Sequence, residues 1–137
     1  MRILAIDHGT VRMGIALSDE MQMLAKPLEF IPADPFAAFI ARLKELIREY
    51  QVELIIVGMP RNMNGSYGPA ALKVKEFVAV LNESIVVPIK TWDERLTSVQ
   101  AHRFLSESGI KASKRRGKVD QSAAAILLQS YLESLSL

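Results

Sequence analysis

Three acids stand where chemistry is possible: Asp7 closing an apolar run, Glu94 within Trp92-Asp93-Glu94-Arg95, and Asp120 heading an apolar-periodic stretch. Each has an ordinary explanation taken alone. Asp7 can make an Asx turn, Asp93 and Glu94 can serve helix-start electrostatics, and Asp120 can be an N-cap. Taken together, three carboxylates converging on one edge repel unless a cation or protons neutralise them. Magnesium or manganese suits an all-oxygen set. One or two such ions, about 3.5–4 Å apart when paired, would activate water, hold a phosphate oxygen and stabilise the leaving oxygen of a phosphodiester. Asp7, Glu94 and Asp120 are therefore the candidate catalytic and metal-ligating residues, with Asp93 as the alternative middle acid. The chain has no cysteine, which excludes a disulfide framework, a thiol nucleophile and a thiolate zinc site.

Asp120 is more informative than a cap alone. Ala123, Ala124, Leu127, Leu128 and Tyr131 follow it at helical spacing, so they share its face, and the alanines permit close approach to a sheet. Lys111, Lys114, Arg115, Arg116 and Lys118 cluster immediately before it. That basic segment can neutralise nucleic-acid phosphates beside a metal, or be a solvated loop. Arg12 and Arg95 can contact phosphate too, or orient neighbouring acids through ion pairs. His8 adjoins Asp7 and could assist proton transfer, whereas His102 falls within a helical pattern. In the loop from Arg61 to Gly68, Tyr67 offers a ring for base stacking, against an ordinary surface connection. Trp92 and the six methionines read as packing.

The elements that must position these groups follow from periodicity. Arg2–Ile6 and Val11–Leu17 read as a hairpin, and Leu28–Ile31 as a short third strand. Asp34 would cap a helix with Pro35 at its first position, carrying Phe36, Phe39, Ile40, Leu43, Leu46 and Ile47 inward. Val52–Val57, ending at Gly58-Met59-Pro60, reads as a central buried strand. Pro69 opens a second helix bearing Ala71, Leu72, Val74, Phe77, Val78 and Leu81. A fifth strand is expected over Ile85–Lys90, at an edge because of Pro88. A helix carrying Val99, His102, Phe104 and Leu105 stops near Gly109, and a last one runs from about Asp120 to Leu135. The order predicts a mixed three-layer α/β domain over residues 1–137 as a single unit, with ligands gathering at strand carboxyl ends.

Lys and Arg number 17 against 15 Asp and Glu, so the formal charge is 17 − 15 = +2, which leaves the partner open by itself. Asp7 interrupts the N-terminus before a signal core can form, and no apolar run approaches the roughly 18 residues of a membrane span. A cytoplasmic protein without a membrane partner is the expectation.

The combined pattern resembles the YqgF/RuvX family from end to end. Asp7-x-Gly9-x-x-Arg12-x-Gly14-x-Ala16-x-Ser18-Asp19 resembles its opening motif, and Val57-Gly58-x-Pro60 with Gly65, Gly68 and Pro69 its central one. Asp93-Glu94-Arg95-Leu96-Thr97 with Ala101, and Lys118-x-Asp120-x-x-Ala123-Ala124 with Leu128, Gln129 and Leu132, resemble the third and last. Leu127 stands where the family pattern has isoleucine. The resemblance implies an RNase H-like fold, with a mixed five-stranded sheet and helices on both faces, and an acidic site of Asp7, Glu94 and Asp120. It also implies nuclease activity on nucleic acid, with 5′-end maturation of 16S precursor rRNA preferred and cutting of branched DNA at Holliday junctions the alternative. A junction resolvase would more naturally need a dimer to cut symmetrically, and no dimer surface is readable. A non-catalytic nucleic-acid-binding module would need the basic segment but not the acids. An actin-like nucleotide-binding domain would share Asp7-His8-Gly9-Thr10 but require a second lobe.

Overall fold

The computed structural model describes residues 1–61, 64–96 and 119–135, apart from the side chains at positions 96 and 119–122. Its elements are β1 (Arg2–Asp7), β2 (Arg12–Ser18), β3 (Ala25–Pro32), α1 (Phe36–Glu49), β4 (Val52–Met59), α2 (Pro69–Ser84), β5 (Ile89–Asp93), a short 3-10 turn (Glu94–Leu96) and α3 (Val119–Leu135). The expected helix through Val99 and His102, and the basic segment Lys111 to Lys118, lie outside the described residues.

The strands form one sheet in the order β3-β2-β1-β4-β5. β1, β2 and β3 pair antiparallel in sequence, while β4 and β5 add on parallel. The mixture follows from the connections: a turn short enough for a hairpin joins β1 to β2, whereas α1 and α2 supply the crossovers that parallel strands require. In β1 the alternation of side chains divides the core. Leu4 and Ile6 join Phe39, Leu43 and Phe77 under α1 and α2, while Ile3 and Ala5 join Ala124, Leu128 and Tyr131 of α3 on the other face. A central strand covered on both faces must be apolar at every position, which is why Ile3–Ile6 and Ile55–Val57 are all fully buried.

Four expectations need correction. The third strand is longer than Leu28–Ile31, because seven residues of β2 find partners along it. Pro35 itself is the N-cap of α1, with extended backbone and no side-chain cap, so Asp34 does not cap that helix. Leu72 is exposed, since the inward stripe of α2 runs through Ala71, Val74, Phe77 and Leu81 and leaves position 72 to one side. The fifth strand covers Ile89–Asp93 rather than Ile85–Lys90. Ile85 is spent ending α2, its N–H donating to the Leu81 carbonyl at 2.8 Å, and the Pro88 carbonyl accepts from Ile55 N–H to start the pairing. The edge placement holds, and the shift puts Trp92 and Asp93 inside the strand with Glu94 immediately after it.

Candidate active site

The β1–β2 turn lets Asp7 end a strand and face outward. A β-carbon on Gly9 would collide with the Arg12 carbonyl, so this tight approach of backbone on backbone requires glycine. Alternation then fixes directions. Asp7 has the parity of Ile3 and Ala5, and Gly58 that of Leu54 and Ile56, so both belong to the α3 face at the carboxyl ends of adjacent strands. Glu94 reaches the same place from the turn after β5. Its carboxylate lies over Gly58, where an added β-carbon would stand 2.7 Å from Glu94 Oε1 and 3.1 Å from Leu127 Cδ2.

The last helix approaches this edge from its N-terminal side. Gln129 Oε1 accepts from Ala25 N–H at 2.9 Å and its Nε2 donates to the Met23 carbonyl at 3.2 Å. That point is beside Ser18, whose hydroxyl accepts Ile3 N–H at the start of β1. Leu127 lies at Gly58 near the other end of the sheet. α3 therefore continues toward its N-terminus past the strand carboxyl ends. Position 120 stands nearly two turns before Leu127, about 10.5 Å of axial rise, and its backbone falls on the same helical stripe. The side chain of Asp120 is outside the described residues. Among those described, no three His, Asp or Glu side chains gather as a metal-holding group.

The two adjacent acids after β5 have separate environments. Asp93 has the parity of Ile89 and pairs in register with Met59, so it faces the side opposite Trp92. There Arg95 grips it, with Nη2 to Oδ2 at 2.8 Å, Nε at 3.1–3.2 Å and the backbone N–H to Oδ1 at 2.9 Å. Arg61 Nη1 stands 3.5 Å from Oδ2. The hydrogen bond from the Arg95 side chain, aided by its backbone N–H, holds the Asp93 carboxyl below the usual aspartate range. Glu94 is shifted the other way, raised first by burial and then by the charge of Asp93. A buried carboxylate beside another negative group is one whose charged form a cation would favour. Asp7 and Glu94 offer hard oxygen donors, the ligand type that a divalent ion such as magnesium or manganese takes.

Arg95 thus occupies the role of orienting an acid, and Arg12 places its guanidinium 4.3 Å from the Phe30 ring centroid. His8 leaves the acidic edge. Its ring packs on Phe77 with centroids 4.8 Å apart, on the side of α2, and burial followed by the Lys73 charge lowers its pKa. Tyr67 is half exposed, with the Arg61 guanidinium 4.6 Å and the Lys75 ammonium 4.1 Å from its ring centroid. Trp92 is packing, as expected: it meets the Tyr131 ring edge-on at 5.2 Å and donates to Ser130 Oγ at 3.2 Å.

Sequence reasoning missed two participants. Gly58 was legible only as a strand end within Val57-Gly58-x-Pro60, and nothing there says which side chain uses the vacant space. Arg61 was lost in a polar loop, although it shapes that loop by donating from Nε to the Gly65 carbonyl at 3.0 Å. Gly65 has φ of 87°, a conformation that explains glycine at that turn.

An antiparallel hairpin extended by parallel strands, with acids at the carboxyl edge beneath one helix, defines the RNase H-like class of nuclease folds. A solved structure of Thermus thermophilus RuvC with a Holliday junction substrate superposes with a TM-score of 0.61 at 16% identity, covering 99% of this chain and 96% of that one. Residues 1–134 match the RuvX family, described as Holliday junction resolvase. The chain belongs to that family. Relatives from Halothermothrix orenii and Ruminiclostridium cellulolyticum, both named "Putative pre-16S rRNA nuclease", are 46% and 45% identical. The first alignment covers 96% of this chain and 94% of its relative, and the second 99% and 96%.

Proposed function

We propose that this protein is a metal-dependent endonuclease that hydrolyses phosphodiester bonds in the 5′-end maturation of 16S precursor rRNA, acting in the cytoplasm as a single domain over residues 1–137. What supports the reading is that Asp7 ends β1 and Glu94 follows β5 at the carboxyl edge of one sheet, with Glu94 Oε1 over Gly58 and the backbone of position 120 on the helix stripe of Leu127. Asp7, Glu94 and Asp120 would hold one or two magnesium or manganese ions. When bound, such an ion lowers the pKa of water and offsets charge on the phosphate oxygens. The protein's own part is positioning: Gly58 leaves room for Glu94, Leu127 closes that room from above, and the Arg61–Asp93–Arg95 cluster keeps the neighbouring acid on the other side.

Glu94 rather than Asp93 is the middle acid in this reading, because Asp93 is already engaged by two guanidinium groups and has the opposite strand parity. The nucleic-acid contacts would come from Arg12 and from Lys111, Lys114, Arg115, Arg116 and Lys118, with Arg95 acting mainly on Asp93. The substrate preference follows the names of the full-length relatives, and branched DNA is the second reading because of the family description. No helix among the described residues is long and apolar enough to cross a membrane.

The test compares wild type with Asp7→Asn, Glu94→Gln and Asp120→Asn on precursor rRNA and on four-way DNA junctions, with chelator, magnesium or manganese. Cutting of precursor rRNA by wild type alone, and only with metal, is expected. Activity that survives all three substitutions would sink the three-acid site. Cutting confined to junctions would transfer the function to the second reading, and binding without cutting would make the domain a binding module.

A further inference from the structure

The turn that aims Asp7 at one face of the sheet aims His8 at the other, and there it borders a cavity of about 450 Å³. Pockets for small organic groups occupy about 300–1,000 Å³. One wall is a single stripe of α2, in which Lys73, Glu76, Phe77 and Val80 recur at three- and four-residue spacing; Phe36 from α1 and His8 supply the others. Phe77 is buried and only gives the floor, whereas Val80 is 41% exposed and forms part of the rim. The rings of His8 and Phe36 each meet that of Phe77, with centroids 4.8 and 6.3 Å away. Lys73 and Glu76 are exposed on the same stripe.

We propose that this cavity is a nucleobase pocket: it takes one base of a nucleotide whose phosphate lies at the Asp7 edge. The proposal deepens the nuclease reading and rests on it for the identity of the strand. The rings offer a face for a planar heterocycle, and stacking of a base on aromatic side chains is tolerant of sequence. Glu76 can accept from base N–H groups, and Lys73 can neutralise a neighbouring phosphate of the same strand. Position is the strongest argument. Asp7 and His8 are consecutive at the carboxyl end of β1, with Cα atoms about 3.8 Å apart, so although their side chains take opposite faces, a strand that crosses this sheet edge passes both. The site thereby gains a way to fix which phosphate meets the acids. A free nucleotide has the same chemistry, and the experiment separates the two sources.

Val80→Trp fills the cavity from a rim position. In the Asp7→Asn background, binding is measured for single-stranded oligoribonucleotides from the 5′ end of precursor 16S rRNA, each with one abasic residue at a successive position. One position is expected to weaken binding about tenfold, as loss of a stacked base does. With Val80→Trp added, the intact oligonucleotide should bind about tenfold more weakly and the abasic penalty should vanish. In a second arm AMP, GMP, CMP and UMP are titrated against the same proteins and followed by amide shifts on α2. Saturable shifts abolished by Val80→Trp, without any abasic penalty, would assign the pocket to a free nucleotide. Lys73→Ala, on an exposed helix position, should lower the salt-dependence slope by about 0.7, and remains informative if the tryptophan variant fails to fold. Unchanged oligonucleotide affinity and unchanged nucleotide shifts in a folded Val80→Trp protein, with an unchanged slope for Lys73→Ala, would overturn the proposal. Cleavage by wild type is scored separately: cutting without any abasic-sensitive position defeats the pocket alone, and an abasic penalty without cutting defeats the nuclease reading alone.

Discussion

Glu94 lies across Gly58, close enough that a β-carbon at position 58 would stand 2.7 Å from its Oε1. Leu127 confines the same point from the helix side at 3.1 Å, so a side chain added there presses on the glutamate and the leucine together.

Gly58→Ala should therefore damage activity as well as folding. Overpacking of this kind costs about 1–3 kcal/mol of stability, measurable by urea denaturation. The metal-dependent rate should fall at least about tenfold, the equivalent of roughly 1.4 kcal/mol in the barrier. A variant that loses stability but keeps its full rate would show that Glu94 does not act from this position.

Glu94→Gln and Asp93→Asn should separate activity from stability. The first removes a carboxylate whose charged form burial disfavours, so the melting temperature should hold or rise while cleavage is lost. The second breaks the pair with Arg95 and should lower the melting temperature by a few degrees at neutral pH while leaving detectable cleavage. The reverse outcome, an inactive but stable Asp93→Asn, would make Asp93 the middle acid.

The cost of Asp93→Asn should depend on pH. The folded carboxyl is held below the ordinary aspartate value by the Arg95 hydrogen bond. Its stabilisation is fully present above the unfolded pKa, about 3.9, and is lost as pH falls through the lower folded value. Melting curves of wild type and variant should thus differ at pH 7 and converge in acid, and a difference that widens on acidification would contradict the pairing.

Gln129→Ala should destabilise through the backbone it satisfies. The side chain is buried and serves Ala25 N–H and the Met23 carbonyl together. An unsatisfied buried group costs about 1–3 kcal/mol, to be read from denaturant midpoints. Equal stability of variant and wild type would mean that water replaces both hydrogen bonds.

Neutralising Lys114, Arg115 and Arg116 together should flatten the salt dependence of RNA binding, with the slope falling by about 0.7 for each phosphate that no longer has a cation beside it. An unchanged slope in fluorescence-anisotropy titrations would mean that this segment faces away from the strand.

Fold class was legible because its strongest marks are local. Ile3–Ile6 and Val52–Val57 are continuous or nearly continuous apolar runs, and the stripe of Phe39, Leu43 and Leu46 has unbroken helical spacing. The boundary of β5 was not legible, since Ile85, Val86 and Val87 have strand composition while Ile85 is committed to ending α2 and Val86 lies fully exposed. Composition states a preference, and the pairing of Pro88 with Ile55 decides the start. The cap of α1 failed similarly, because Asp before Pro looks like a cap until the backbone assigns that position to Pro35.

The site was half legible. Asp7 and Glu94 were named as candidates from chemistry and position, but the distinction between Glu94 and its neighbour depends on strand parity, which a single misplaced boundary reverses. With the strand ending at Lys90, Asp93 and Glu94 are two equivalent loop acids. With it ending at Asp93, they belong to opposite sides. Arg61 could not be read at all as a partner of Asp93, because 32 residues separate them and only the adjacency of β4 and β5 brings them together.

The clasp of Gln129 on the entrance to β3 joins segments 104 residues apart, and the same helix brings position 120 to the edge prepared by the first strand. On the proposed function this makes the site a seam between two separable parts: wherever α3 lifts from the sheet, position 120 parts from Asp7, and cutting would stop while the strands are still paired.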